Sequence, residues 1–470
     1  MTRPHDAAIL ELKNLLGPKG WSMERDVLET HNREARGKFD GRADIILFPA
    51  STDEVAKAVA ICAAHAIAIV PQGGNTGRCG GAVAGQDQVL LNLKRMNRIV
   101  ELDARDFTAT VEAGAILKSI QDAAEEHDLL FPLSLGAEGS CQIGGNLATN
   151  AGGLNVIRYG NARDLVLGLE VVLPDGSIWN GLSKLRKDNS GYDLRDLFIG
   201  AEGTLGIITK ATLKLFPHPK HIATAWVAVP SPEAALDLLA LARSTTGDAI
   251  AAFELMCGFA HDMSVTHLPN LTRPLASPTD WHVLIELTSS RPKDDLQSLL
   301  TDLLGDAMEG GLARDATLAQ SDAQRKNLWA IREGIPEAQG FEGGSIKHDV
   351  SVPVSKVPDL LTRGMAAARD LIPGIRPCPF GHVGDGNIHF NFTQPVDMEK
   401  ADYLTHWENL NRVIHDIVAD LGGSISAEHG IGQLKRDELV RYASAEKLKL
   451  LRAVKAAIDP DNRLNPGKVV

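Results

Sequence analysis

Ser134-Leu135-Gly136-Ala137-Glu138-Gly139-Ser140-Cys141-Gln142-Ile143-Gly144-Gly145-Asn146-Leu147-Ala148-Thr149-Asn150-Ala151-Gly152-Gly153 strings six glycines among small and polar residues. The run is too poor in bulky side chains to build core, so it reads as backbone wrapped around a ligand. Upstream, Pro71-Gln72-Gly73-Gly74-Asn75-Thr76-Gly77 directly follows the β-rich run Ile67–Val70. Glycine there lets bare backbone N–H groups approach a pyrophosphate. Downstream, Gly200-Ala201-Glu202-Gly203-Thr204-Leu205-Gly206-Ile207-Ile208-Thr209 sets glycines just before a β-branched strand whose backbone could line a planar ring. A tight structural turn would explain any one of these loops, whereas three in order point to a ligand. The Rossmann GxGxxG and Walker GxxxxGKS/T spacings are absent from them, so neither an NAD half-site nor a nucleoside triphosphate site is indicated.

Taken together, the three loops resemble the FAD domain of the vanillyl-alcohol oxidase/PCMH flavoprotein superfamily, over roughly Gly37–Pro217. The resemblance implies FAD contacts at Pro71, Gly73, Gly74, Asn75, Thr76 and Gly77 in the first loop. In the second it implies Ser134, Gly136, Gly139, Ser140, Gly144, Gly145, Asn150, Gly152 and Gly153. Glu202, Gly206, Ile207 and Ile208 follow in the third, with Asn465 in the turn-rich tail Asp459–Gly467. In members that tether FAD through histidine, the ligating residue stands after the first glycine pair. Here that position is Asn75, which implies non-covalent FAD.

A second constellation lies far downstream. Pro379-Phe380-Gly381-His382-Val383-Gly384-Asp385-Gly386-Asn387-Ile388-His389-Phe390-Asn391-Phe392 reads as strand, Gly-Asp-Gly turn and strand, with His389 and Asn391 on one face. Two histidines seven apart match no self-sufficient metal motif and are open to a structural reading. Ser426-Ala427-Glu428-His429-Gly430-Ile431-Gly432 adds a carboxylate and a third imidazole. Two imidazoles and one carboxylate suit Zn²⁺, Mn²⁺ or Fe²⁺ with a position left open.

Both segments resemble the C-terminal half of the D-2-hydroxyacid dehydrogenases, the group holding D-lactate, glycolate-oxidase-subunit-like and D-2-hydroxyglutarate dehydrogenases. By position the resemblance implies His382, His389 and Glu428 as metal ligands, Asn391 as a substrate contact and His429 as the base. An isolated arginine on a helix or lysine entering a strand is ordinarily solvated. In the hydroxyglutarate enzymes such a pair holds the substrate's distal carboxylate, and Arg332 and Lys347 fit those places. The hydroxyl-bearing residue expected one turn after the arginine is replaced by Pro336. The implied reaction oxidises a 2-hydroxy acid to a 2-oxo acid, the C2 hydride passing to flavin N5 and the hydroxyl proton to His429. D-2-hydroxyglutarate ranks first as substrate, ahead of D-lactate and D-malate. Electrons would leave to an electron-transfer flavoprotein, a quinone or a cytochrome. An O₂-using oxidase, a metallohydrolase using His382, His389 and Glu428, and a non-catalytic ligand-binding protein are the rival readings.

The remaining sequence bounds these expectations. With 470 residues and 44% hydrophobic content, the chain exceeds one ordinary core and should divide into subdomains. A net charge of -12 without a basic patch argues against a nucleic-acid partner. Five cysteines without CxxC spacing suggest neither a disulfide framework nor a thiolate metal site. Residues 1–6 lack an apolar leader, and no stretch of about 18 apolar residues occurs, so a cytoplasmic location is expected, or the mitochondrial matrix if eukaryotic. A homodimer is a family-level expectation.

The expected fold is α+β: a two-part PCMH-type FAD-binding domain, a cap domain with an antiparallel sheet, and C-terminal helices. The expected division is 1–37 helical, 38–217 FAD-binding, 218–415 substrate and metal, and 416–470 returning to the FAD domain. Expected helices include 7–16, Thr52–His65 capped by Thr52 with Val55, Val59, Ala60 and Ala63 on one face, 402–421, and Ser444–Ile458. Asn327–Glu333 should begin a helix, and Ser345–Pro353 should form a strand.

Overall fold

A computed structural model describes residues 4–34 and 37–470 of the chain; Met1–Arg3, part of the leader reading above, lie outside them. The chain forms two compact units. One comprises Met1–Gly152, Gly160–His218 and Glu428–Val470, the other Gly153–Tyr159 and Pro219–Ala427.

The first unit carries two sheets. Strands β1 (Trp21–Ser22), β2 (Ile46–Leu47), β3 (Ile69–Gln72) and β4 (Val89–Asn92) are ordered β1-β2-β4-β3, with β4 parallel to both β2 and β3. Pro71, which lacks an N–H, is tolerated because β3 closes that order. The helix Thr52–Ala64 feeds β3. Its cap is Ser51, whose Oγ accepts the Glu54 N–H at 3.2 Å, so the cap lies one residue before the expected Thr52. Thr52 instead donates its hydroxyl to the buried Glu170. The buried face is Val55, Ala58, Val59 and Cys62, a strict i, i+3, i+4, i+7 stripe; Ala60 is exposed.

The second sheet contains β5 (Ile99–Asp103), β6 (Thr108–Glu112), β8 (Val166–Val172), β9 (Ile178–Gly181) and β10 (Ile207–Lys214). It is antiparallel and ordered β5-β6-β10-β8-β9, while β7 (Leu129–Leu130) pairs with β11 (Phe216–Pro217). All three glycine loops belong to this unit, apart from Gly153.

The second unit is built on one antiparallel sheet. Its strands are β12 (His221–Val229), β13 (Ile250–Cys257), β14 (Trp281–Ser289), β15 (Asp315–Leu318), β16 (Ser345–Ile346), β17 (Asp349–Ser351), β18 (Arg376–Gly381) and β19 (Asn387–Thr393). The order is β15-β12-β14-β13-β18-β19-β16, with β17 also paired to β19. Strand residues alternate between faces. Phe253, Leu255, Ile388, Phe390 and Phe392 join the core beneath the helices Pro232–Thr246, Leu296–Glu309, Val357–Leu371 and Trp407–Asp420. Met256, Cys378 and Phe380 pack on the opposite face, against Gly258–His267, Asp322–Glu333 and Ile335–Phe341. Glu254, His389 and Asn391 share that second face by alternation.

Several local expectations change. The helix expected over 402–421 is interrupted into Lys400–Leu404 and Trp407–Asp420. The Thr405 hydroxyl donates to the Asp402 carbonyl at 2.6 Å, a local bond that competes with helix continuation. Trp407–Asp420 buries Leu410, Ile414 and Val418 in the second unit's core, so the final segment starts at Glu428, rather than at 416. Asn327–Glu333 ends the helix Asp322–Glu333 rather than beginning one, because Ser321 caps it upstream. The segment 345–353 is two short strands, β16 and β17, with Lys347 between them.

On the second face the Trp226 indole donates from Nε1 to His282 Nδ1 at 2.9 Å, and the His261 ring stands 4.3 Å from that of His282. Burial, then the neighbouring His261, pulls His282 down to about 3. A base with a depressed folded pKa makes the unfolded state the better proton binder below about 6.5. Stability is therefore complete above that pH and declines as pH falls toward 3, by about 3 kcal/mol at pH 4.5. His282→Gln, which keeps an acceptor for the indole, should flatten the acid limb of the melting temperature against pH. An unchanged limb would remove His282 as its cause.

Candidate active site

The first site lies wholly within the first unit. Asn92 on β4 donates from Nδ2 to the Gly73 carbonyl at 2.8 Å, fixing the loop where β3 ends. A Cβ at Gly74 would stand 2.3 Å from the Ser140 carbonyl, so only glycine lets the first two loops meet backbone to backbone. Asn75 takes φ +54° and donates from Nδ2 to the Arg33 carbonyl at 2.9 Å. These loops enclose a cavity of about 150 Å³ that opens to solvent.

Of the residues expected to hold cofactor, Pro71, Gly73, Gly74, Asn75, Thr76 and Gly77 line this cavity, as do Gly144, Gly145, Glu202, Gly206, Ile207 and Ile208. Ser140 instead lines a neighbouring polar pocket. Ser134, Gly136, Gly139, Asn150, Gly152 and Gly153 are outside the lining. Asn150 accepts the Arg163 N–H, and a Cβ at Gly152 would stand 2.6 Å from the Glu428 carboxylate. Asn465 is also outside it, its Nδ2 spent on the carbonyls of Gly81 and Glu202. The sequence reading passed over Gln142 and Asn146. Both are buried and line the cavity, and Gln142 Oε1 and Asn146 Oδ1 lack hydrogen-bond partners. Buried acceptors of this kind call for donors, which the ring imide and ribityl hydroxyls of FAD possess. The signal was an amide pair inside the glycine run. His429 reaches the same cavity.

The second unit supplies the other groups. His382 follows β18 and His389 sits on β19, their ring centroids 5.4 Å apart. Glu254 on β13, fully buried, holds His382 Nδ1 through Oε1 at 2.6 Å and accepts the Arg332 Nε–H through Oε2 at 2.7 Å. Burial pushes Glu254 up, but His382 and Arg332 outweigh it and bring the carboxyl down to about 2. The carboxylate thus fixes Nδ1 as the protonated nitrogen of His382 and leaves the ring's lone pair on Nε2. Glu254 was missed, though a lone carboxylate in the apolar run Ile250–Cys257 was a readable signal.

Arg332 is 5% exposed, not solvated, and its guanidinium stands 4.9 Å from the Phe380 ring centroid. Asn391 donates to Gln339 Oε1 at 3.0 Å, and Gln339 in turn donates to Thr393. Pro336 lies in the first turn of Ile335–Phe341, where a missing N–H costs little, and it is exposed. Lys347 is half-buried beside β17. Asp385, in the turn after His382, is raised to about 6, chiefly by burial.

The Ala427 N–H donates to the Asp349 carbonyl at 3.3 Å, and Asp349 is the register partner of His389. The next residue, Glu428, opens the first unit's final segment.

Residues 43–181 match an FAD binding domain, and residues 218–469 match the C-terminal domain of FAD linked oxidases. This chain belongs to the FAD-linked oxidases. It is 38% identical to a probable mitochondrial D-2-hydroxyglutarate dehydrogenase of Oryza sativa subsp. indica, over 97% of the chain and 80% of the relative. It is 37% identical to a D-2-hydroxyglutarate dehydrogenase of Xanthomonas citri pv. viticola, over 99% and 97%. A D-2-hydroxyglutarate–pyruvate transhydrogenase of Saccharomyces cerevisiae is 35% identical over 96% and 91%. At 18% identity, p-cresol methylhydroxylase shares the fold with a TM-score of 0.78, covering all of this chain and 97% of that one. This FAD-linked oxidase is an FAD-dependent D-2-hydroxyacid dehydrogenase. Among its described residues no helix is long and apolar enough to cross a membrane.

Proposed function

We propose that this dehydrogenase oxidises D-2-hydroxyglutarate to the 2-oxo acid, with non-covalent FAD and a divalent metal. The observation that carries the substrate choice is Arg332, a cation buried on the same face as His389 and Asn391. Glu254 takes only its Nε, and the remaining guanidinium N–H groups suit a distal carboxylate, with Lys347 as second cation. The relatives' names point the same way. FAD, when bound, supplies the two-electron acceptor for the C2 hydride.

His382 through Nε2, His389 and Glu428 would hold the metal, zinc first and manganese or iron next by donor type, and the ion would supply Lewis-acid polarisation. Asn391 would orient the substrate. His429 takes the hydroxyl proton and leaves the 2-oxo acid. Electrons pass on to an electron-transfer flavoprotein, a quinone or a cytochrome.

Pro336 favours a second reading in which a smaller acid, D-lactate or D-malate, is preferred, because its side chain offers a substrate carboxylate no hydrogen bond. Anaerobic addition of each acid to purified holoprotein decides between them through bleaching of the flavin band. D-2-hydroxyglutarate should reduce the flavin fastest, and Arg332→Ala or Lys347→Ala should slow that acid more than D-lactate. Faster reduction by D-lactate would replace the hydroxyglutarate assignment. Exhaustive chelation should abolish bleaching, whereas turnover surviving it would return the three ligands to a structural role.

A further inference from the structure

Glu202 lines the cofactor cavity, yet its carboxylate is already engaged. The Ile431 N–H donates to Oε1 at 2.7 Å and the Gly432 N–H to Oε2 at 2.8 Å, two consecutive peptides held by one side chain. Such charge-assisted pairs are strong and directional. The residue itself takes φ +51°, disfavoured for any side chain but glycine's, and is kept there from two sides. Its N–H donates to the Ala148 carbonyl at 2.8 Å, at the end of the second glycine loop's helix, and its carbonyl accepts from Asn465 at 2.7 Å.

The turn it grips is shaped for that grip. Gly430 and Gly432 have φ +76° and +51°. A Cβ at Gly430 would stand 2.7 Å from Glu202 Oε1, and one at Gly432 would stand 2.1 Å from the Cys79 carbonyl. That carbonyl also accepts the N–H groups of Gln433 and Leu434, at 2.8 and 3.2 Å. The turn is clamped between Glu202 and Cys79, and His429, the residue just before it, enters the cavity. Burial raises the Glu202 carboxyl, opposed by the two amides and Lys435.

We propose that Glu202 is a positioning residue for His429: anchored on the cofactor loops, its carboxylate fixes the turn that carries the imidazole into the cavity. This rests on His429 being the base. The test is anaerobic flavin reduction by D-2-hydroxyglutarate in holoenzyme carrying Glu202→Ala or Glu202→Asp, with KM and the FAD Kd measured alongside. Misplacing a catalytic group by about 1 Å costs about 100-fold in rate. Glu202→Ala should therefore reduce, at saturating FAD, at about one hundredth of the parent rate with KM unchanged, and Glu202→Asp, which keeps the carboxylate, should recover part of the loss. Gly432→Ala displaces the same turn without touching Glu202 and should give the same split. The double variant should be no slower than the worse single, since both act through one turn.

A normal reduction rate in Glu202→Ala at saturating FAD, with or without weakened FAD binding, would overturn the positioning role. The two readings separate through His429→Ala. If that variant is slow and Glu202→Ala is not, the base stands and the positioning role falls. If His429→Ala reduces flavin at the parent rate, the base reading itself falls.

Discussion

Glu254→Ala is expected to lose both metal affinity and stability, and to do so more severely than removal of any ligand-bearing loop contact. The carboxylate is the shared partner of a buried arginine and of His382, at 2.7 and 2.6 Å. Taking away one member of a buried pair leaves the other charge uncompensated, which costs about 3–5 kcal/mol. The same change frees the His382 ring to rotate or to protonate on the other nitrogen, and loss of such a support weakens metal binding about 10- to 100-fold. Glu254→Gln separates the two effects. A glutamine oxygen can still accept from His382 Nδ1, but its amide cannot accept from Arg332. Metal content should then survive better than stability. Denaturant unfolding of apoprotein with metal analysis of holoprotein checks both. Full metal content in Glu254→Ala would show that the carboxylate supports Arg332 alone.

Glu254 also marks where the sequence stopped being informative. The three glycine loops were legible because glycine, asparagine and small polar residues have few uses other than turns and ligand cradles. Of the positions expected to hold cofactor, six in the first loop and six beyond it line the cavity. The strand–turn–strand around His382 and His389 was legible from period-two alternation, which put His389 and Asn391 opposite Ile388, Phe390 and Phe392. Partners far apart in sequence were not. Glu254 and His382 are separated by 128 positions, Glu202 and Ile431 by 229, and no local pattern encodes such pairings.

Helix boundaries failed for a related reason. Thr405 breaks a periodic run through its own hydroxyl, and Ser51 outcompetes Thr52 as a cap because only one of them has the extended backbone the position needs. Arg332 was open to a surface reading until β13 supplied its counter-charge. Pro336 looked like a broken motif. The fold gives it a second meaning, as an early residue of a new helix after Gly334.

His429→Ala should produce the largest catalytic loss, about 100- to 10,000-fold in flavin reduction, the usual worth of a positioned general base. The argument is one of placement. Within one unit, His429 shares the cavity with the Ile207 and Ile208 backbone and with the glycine loops, and the Glu202 clamp leaves its turn little freedom. Its loss removes no backbone contact to the cofactor, so the variant should remain yellow with an unchanged FAD Kd. Truncation also leaves a void that free imidazole fits, and added imidazole should restore part of the rate to His429→Ala. It should restore none to Glu202→Ala, where the ring is present but displaced. A variant that is colourless would make His429 a cofactor residue. One that stays yellow and is reduced at the parent rate would return the hydroxyl proton to solvent or to another group.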